Sequence, residues 1–195
     1  MGERKTSEER REQILETALE ILHEEGRSRL TVGRIAEKIS ISEAAVYRHF
    51  DSKEEIIRKM AEKVFSIELV DPEELSFEAP KELLEEIIRG IFAKLEEDRK
   101  IASVLFHDEL FTEYPEVEEI FREHRKEKKE KLKNLVIMGK TSGLFNEEVD
   151  PDTFARTMMG SIRITVLEWR DAEFSHSLEE EVRPLAQHLA KILQN

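Results

Sequence analysis

Tyr47, Arg48 and His49 stand side by side in the segment Glu43-Ala-Ala-Val-Tyr-Arg-His-Phe50, and Lys53 follows four residues after His49. A segment of two helical turns that carries a phenol, a guanidinium and an imidazole together needs a reason. A second chemistry-bearing pattern is Glu20-Ile-Leu-His23, the Glu-x-x-His pair of helical di-metal sites. Such sites need two of these pairs and further Glu on facing helices. The sequence offers one pair, so a helical-bundle metalloenzyme stands only as an alternative, and no metal or other cofactor is expected. The chain has no Cys, which excludes disulfides, thiol catalysis and cysteine metal ligands. It also leaves the cytoplasm as the default location.

The elements that must hold these residues are helices. Only 7 Gly and 5 Pro occur in 195 residues, and no stretch has the apolar length of a membrane span. The first residues lack the apolar core of a secretory signal. Ser7 is placed to cap a first helix, with Ile14, Leu15, Ala18, Leu19 and Leu22 on one face and Gly26 closing it. Thr31 caps a second, with Ile35, Ala36 and Ile39 inward. Ser42 caps a third, Glu43 to Phe50. Ser52 and Glu55 form a capping box that opens a longer one. Val70 to Pro80 holds two prolines and reads as a linker.

Helical periodicity resumes at Lys81, and a helix is expected around Ile101–Phe111, ended by Tyr114-Pro115. A long helix then stops near Gly143. Another runs from Asp150-Pro151 to near Arg170, and the last spans Leu178 to Leu193 behind a second capping box, Ser177 to Glu180. Pro184 should kink that last helix or mark a late start. About nine helices and no strand give an all-α fold. Its N-terminal three-helix headpiece would occupy 1–52, a connecting helix 53–70, and a larger helical domain 71–195.

Two short helices joined by a tight turn, the second polar on its outer face, form a helix-turn-helix, whose second helix fits the major groove of DNA. Thr31, Ile35-Ala36, Ser42, Val46-Tyr47, His49-Phe50 and Ser52-Lys53-Glu54-Glu55 resemble, in register, the tetracycline-repressor (TetR) family of transcriptional regulators. The resemblance covers residues 7 to about 65 and is architectural beyond, where it implies that 71–195 form a helical ligand-binding and dimerisation domain. The family often has Gly in the turn where this chain has Ser40. A left-handed conformation there costs Ser more than Gly.

The resemblance implies that Tyr47, His49 and Lys53 contact phosphates. Thr31 would offer its hydroxyl and backbone N–H to another, and Arg34 would add a further contact. Glu43, Ala44, Ala45 and Arg48 would form the surface against the bases, with the capping Ser42 also among the DNA-binding candidates. Arg48 could pair with guanine, Glu43 could accept from the cytosine amino group, and the alanines could touch thymine methyls. Two headpieces would require a homodimer on a palindromic operator in double-stranded DNA.

A net charge of −13 opposes such a partner only on average. Residues 1–60 hold 12 Lys+Arg and 13 Asp+Glu, whereas residues 61–195 hold 19 and 31. The acidity therefore sits in the larger domain. There the helix following Asp152 is apolar nearly all round. Phe154, Ile162 and Trp169 on it, with Val182, Leu185 and Leu189 on the last helix, are the candidate dimer interface. Phe92, Phe106, Phe111, Phe121, Met158 and Met159 are candidates to line an effector cavity. His107 and Arg163 would be its polar anchors. An apolar lining points to a lipophilic effector, a fatty-acyl compound or an aromatic.

The expected protein is a ligand-responsive DNA-binding repressor, not an enzyme. A helical adaptor or ligand-binding protein without DNA binding is the alternative.

Overall fold

Threonine just before a run of good helix formers captures the first exposed amides, and so the first helix opens one residue earlier than Ser7 would place it. In the computed structural model, which describes residues 5–65, 79–105 and 113–194, Thr6 is the cap. Its hydroxyl accepts from Glu9 N–H at 3.2 Å while the Glu9 carboxylate accepts from Thr6 N–H at 2.7 Å, a complete capping box. Ser7 becomes the first helical residue, and its hydroxyl is left for other work.

Nine α-helices and no strand occur among the described residues. They are α1 (Ser7–Glu24), α2 (Val32–Lys38), α3 (Glu43–Val46), α4 (Lys53–Phe65), α5 (Pro80–Glu97), α6 (Arg99–Leu105), α7 (Pro115–Thr141), α8 (Pro151–Asp171) and α9 (Glu179–Leu193). A 3-10 turn, Arg27–Arg29, follows α1. Gly26 before it has φ 81°, as a residue closing a helix requires. The expected linker lies outside the described residues as far as 78. Pro80 starts α5 at its first position, where a missing N–H costs nothing.

Packing divides the chain into two compact units, Met1–Ile67 with Arg99–Arg122, and Glu68–Asp98 with Glu123–Asn195. A single cut after the connecting helix, as expected from the sequence, would leave α6 with the C-terminal part. Instead α6 packs on α1 and α4. The apolar faces of α1, α2 and α4 meet over Ile14, Ile21, Ile35, Val46, Phe50, Ile56 and Met60, all buried. Against them α6 adds Ile101, Ala102 and Val104. Polar ties reinforce the seam: His23 Nδ1 stands 2.8 Å from Ser103 Oγ, and Lys100 Nζ donates to Glu16 at 2.8 Å. Lys63 on α4 donates to the same Glu16 and to Glu12.

In the second unit α9 packs along α5, and the N–H of Leu178 donates to the Glu96 carboxylate at 2.8 Å. That bond replaces the second expected capping box. The helix begins at Glu179 behind Leu178 without a side-chain cap, and Ser177 Oγ reaches only Glu179 N–H. Pro184 sits inside α9, so no late start occurs. Asp150 caps α8 as expected, accepting from Thr153 N–H at 2.9 Å. Gly143, φ 73°, follows the end of α7. A Cβ on Gly139 would run into the Phe145 ring, which folds back over that helix.

Candidate nucleic-acid interface

Two hydroxyl caps set the interface. Thr31 Oγ accepts from Arg34 N–H at 3.1 Å and Ser42 Oγ from Ala45 N–H at 3.2 Å, so each hydroxyl proton stays available to an outside acceptor. Between the two helices Ser40 takes φ 55°, the left-handed conformation that the Gly-to-Ser difference raised. The turn keeps its geometry with Ser in place and bears the modest strain.

The recognition helix is shorter than the sequence suggests. Its α-helical part ends at Val46, and Tyr47 to Phe50 continue as a turn in which His49 N–H reaches Val46 C=O at 2.9 Å. Val46 and Phe50 are the buried anchors, and aromatic and β-branched residues in succession resist further helical winding. The consequence is useful. Ser42, Glu43, Ala44, Tyr47 and Arg48 are exposed, with Ala45 and His49 half-buried. Tyr47, 48% exposed, is an aromatic side chain left open to the surroundings.

The start of α4 follows at once. Ser52 Oγ accepts from Glu55 N–H at 3.2 Å, but the Glu55 carboxylate returns to Asp51 N–H at 2.6 Å rather than to Ser52. Bonding to that amide, with Arg11 also beside it, holds the Glu55 carboxyl below the usual carboxylate range against its slight burial. Lys53 is half-buried, its ammonium 5.8 Å from the centre of the Tyr114 ring, within cation–π range.

Two of the expected DNA contacts are differently engaged. The Arg34 guanidinium grips Glu25 through Nε and a terminal nitrogen, both at 2.9 Å, and Glu37 at 2.7 Å. These bonds raise its pKa further, and a phosphate would have to displace carboxylates to reach it. Glu43 folds back on α2: a Cβ on Gly33 would stand only 3.0 Å from its Oε1, so the missing side chain at 33 makes the room. Negative charge beside the first turn of α2 is favourable there, which holds Glu43 away from a base-reading pose.

Sequence reasoning overlooked Ser7 and Arg11, one turn apart on α1. Ser7 Oγ lies 3.3 Å from His49 Nδ1. The Arg11 guanidinium sits 4.2 Å over the Phe50 ring, donates to His49 C=O and pairs with Glu55 at 3.4 Å. Partners 38 and 44 residues away leave no local signal.

The remaining candidates fall elsewhere. Phe106, His107 and Phe111 lie outside the described residues. Phe92 and Met158 are buried in the second unit, with Met159 and Arg163 half-buried there. Phe121 packs on Phe65 in the first unit, ring centres 5.7 Å apart. A surface pocket of about 390 Å³ in the second unit is lined by Asn146, Val149, Thr153, Phe154, Thr157 and Ile192 among others, none of them an expected cavity residue, and Phe154 is a candidate for the dimer interface.

Phe154, Ile162, Trp169, Val182 and Leu189 are buried within their own unit and Leu185 is half-buried, so the apolar stripes of α8 and α9 face inward first. Exposed on those helices instead are Ile164 and Ile192. Glu20 and His23 form no metal cluster: no group of three metal-ligating side chains occurs among the described residues. No described helix is long and apolar enough to cross a membrane.

The geometry defines a class of unit: a helix-turn-helix headpiece that holds its short third helix outward. Residues 14–60 match the family model of the bacterial regulatory proteins, tetR family. The chain is 40% identical over 65 residues to the nucleoid occlusion factor SlmA of Haemophilus influenzae (strain PittGG). That stretch is 33% of this chain and 30% of SlmA, so the chain spans under a third of the relative it matches. The fold extends further. The fatty acid degradation regulator FadR of Bacillus halodurans superposes with a TM-score of 0.74 at 22% identity, over 96% of this chain and 97% of that one. The transcriptional regulator FadR of Bacillus subtilis, solved in complex with stearoyl-CoA, gives 0.70 at 21%, over 94% and 99%.

Proposed function

We propose that this chain is a ligand-responsive DNA-binding transcriptional regulator, a repressor that binds a palindromic operator as a homodimer and is released by a small apolar effector. The observation that carries the reading is the exposed set at the end of the recognition helix. Tyr47 and Arg48 are open beside half-buried His49, with Lys53 at the head of the next helix and the Thr31 and Ser42 hydroxyls at two helix starts. These donors suit phosphate oxygens, and Arg48 suits the guanine edge. Ala44 and Ala45 complete the surface facing the bases, and Glu43, folded back on α2, is left out of it. Arg34 is left out of the contact set because Glu25 and Glu37 hold it.

Dimerisation is supported by the exposed stripe of α8, where Thr153, Thr157, Gly160 and Ile164 follow helical spacing, beside Ile192 of α9. Apolar and small residues in one exposed stripe suit close approach of a second copy. For the effector, the bound stearoyl-CoA of a similarly folded protein makes long-chain acyl thioesters the first class to try. A ligand acts only through unequal affinity for the DNA-competent and released states.

The test is operator binding, selected from random duplex DNA and followed by fluorescence anisotropy across a salt series. Tyr47→Ala and Lys53→Ala should each weaken binding to every sequence, and Lys53→Ala should flatten the salt dependence by about one counterion. Affinity that survives both replacements rules out this interface.

A further inference from the structure

We propose that Ser7 and Arg11, which need not touch DNA, are positioning residues for its recognition. Ser7 would set the ring of His49, and Arg11 would lock the backbone that carries it. The inference rests on the DNA-binding reading above and adds the first turns of α1 to its machinery.

Thr6 takes the capping role and so frees the Ser7 hydroxyl, which stands 3.3 Å from His49 Nδ1. A hydroxyl that donates to Nδ1 leaves the imidazole proton on Nε2. That tautomer offers a donor away from α1, as a phosphate oxygen requires. Arg11, on the same face one turn later, makes three contacts with one planar group. It donates to His49 C=O, stacks on Phe50 at 4.2 Å and pairs with Glu55 at 3.4 Å. Glu55 in turn accepts from Asp51 N–H at 2.6 Å. The end of the recognition segment, the connector and the head of α4 therefore hang on one guanidinium. The connector needs such a holder because α3 itself supplies only four helical residues. Lys could supply the charge without the stack or the fork.

The experiment measures operator affinity and its salt dependence for the full chain, wild type and variants, with thermal unfolding alongside. Imidazole nitrogen chemical shifts of His49 report the tautomer. Arg11→Gln should lower affinity about tenfold, the effect of one lost charge-assisted anchor, with the salt slope unchanged. Arg11→Lys should recover only part of it. Ser7→Ala should lower affinity about threefold, as loss of one weak neutral bond does, and shift His49 towards the Nδ1-protonated form. Ser7→Thr should restore both. Full affinity in Arg11→Gln and Ser7→Ala, with wild type binding normally, overturns the positioning role alone. A salt slope that drops by about one in Arg11→Gln overturns it too, because Arg11 would then contact a phosphate itself. If wild type binds no duplex at low salt, the DNA-binding reading fails and this inference with it. Should Arg11→Gln unfold, Ser7→Ala and the His49 shifts decide.

Discussion

The two units expose opposite kinds of surface. Among the described residues the large apolar side chains left open are Tyr47 in the first unit and Ile137, Met138, Ile164 and Ile192 in the second. Tyr47 carries a hydroxyl and the other four carry no hydrogen-bonding group beyond a thioether. The first unit closes its apolar core and turns donors outward, which suits a polyanion. The second carries a net charge of −9 against −4 for the first and leaves aliphatic patches open, which suits another protein surface better than a polyanion. The two units thus differ in charge and in what each leaves uncovered.

The comparison can be broken most sharply at Phe50. It is fully buried under Arg11, so Phe50→Ala should cost the first unit about 3–5 kcal/mol. Circular dichroism during thermal unfolding would show an early transition. Trp169, the single tryptophan and buried in the second unit, should keep its emission through that transition. A simultaneous loss of both signals would mean that the units do not unfold separately.

Next comes the second unit's surface. Ile164→Asp places a charge on the α8 stripe and should weaken self-association by about 2 kcal/mol, with secondary structure intact. Sedimentation equilibrium reads the change, and an unaltered oligomeric state would remove α8 from the interface.

A smaller effect is expected at the turn. Ser40 holds φ 55°, so Ser40→Gly should stabilise the headpiece by about 0.5–1 kcal/mol in urea unfolding, offset in part by the greater freedom of the unfolded chain. Destabilisation would show that the Ser side chain has a role of its own.

The smallest effect is electrostatic. Partial burial tends to raise the Glu16 carboxyl, but bonds from Lys100 and Lys63 outweigh it and hold the group below the ordinary glutamate range. A carboxyl with a lowered folded pKa stabilises fully above its unfolded value, and that contribution fades as pH falls through the folded one. Unfolding midpoints measured from neutral pH down to acid should therefore fall less steeply for Glu16→Gln than for wild type. Parallel curves would mean that the bridge between α1, α4 and α6 carries no net stability.

Local chemistry made most of the elements legible. Caps at Thr31, Ser42, Ser52 and Asp150 act on amides three residues away, and the apolar periodicity of α1, α4, α5 and α8 needs only the chain's own order. Thr6 displaced Ser7 by one residue because either hydroxyl could cap. The longer-range details were not legible. Arg34 looked like a phosphate ligand until Glu25, nine residues back, took its guanidinium. Glu43 looked like a base reader until Gly33, on another helix, gave its carboxylate a resting place. Phe154, Trp169 and Val182 looked like a subunit interface because an apolar stripe does not say what it meets, and here it meets its own unit.

The sequence alone therefore determined an all-helical chain, the headpiece with its short outward helix, and the concentration of acidity beyond residue 60. Hydrophobic period, capping and charge count are properties of neighbours along the chain. Tertiary structure decided where α6 belongs, which cations stay open, and that Ser7 and Arg11 hold His49. The contacts of Ser7 and Arg11 join residues tens of positions apart, and only the packing of α1 against α4 and the turn after α3 brings them within reach.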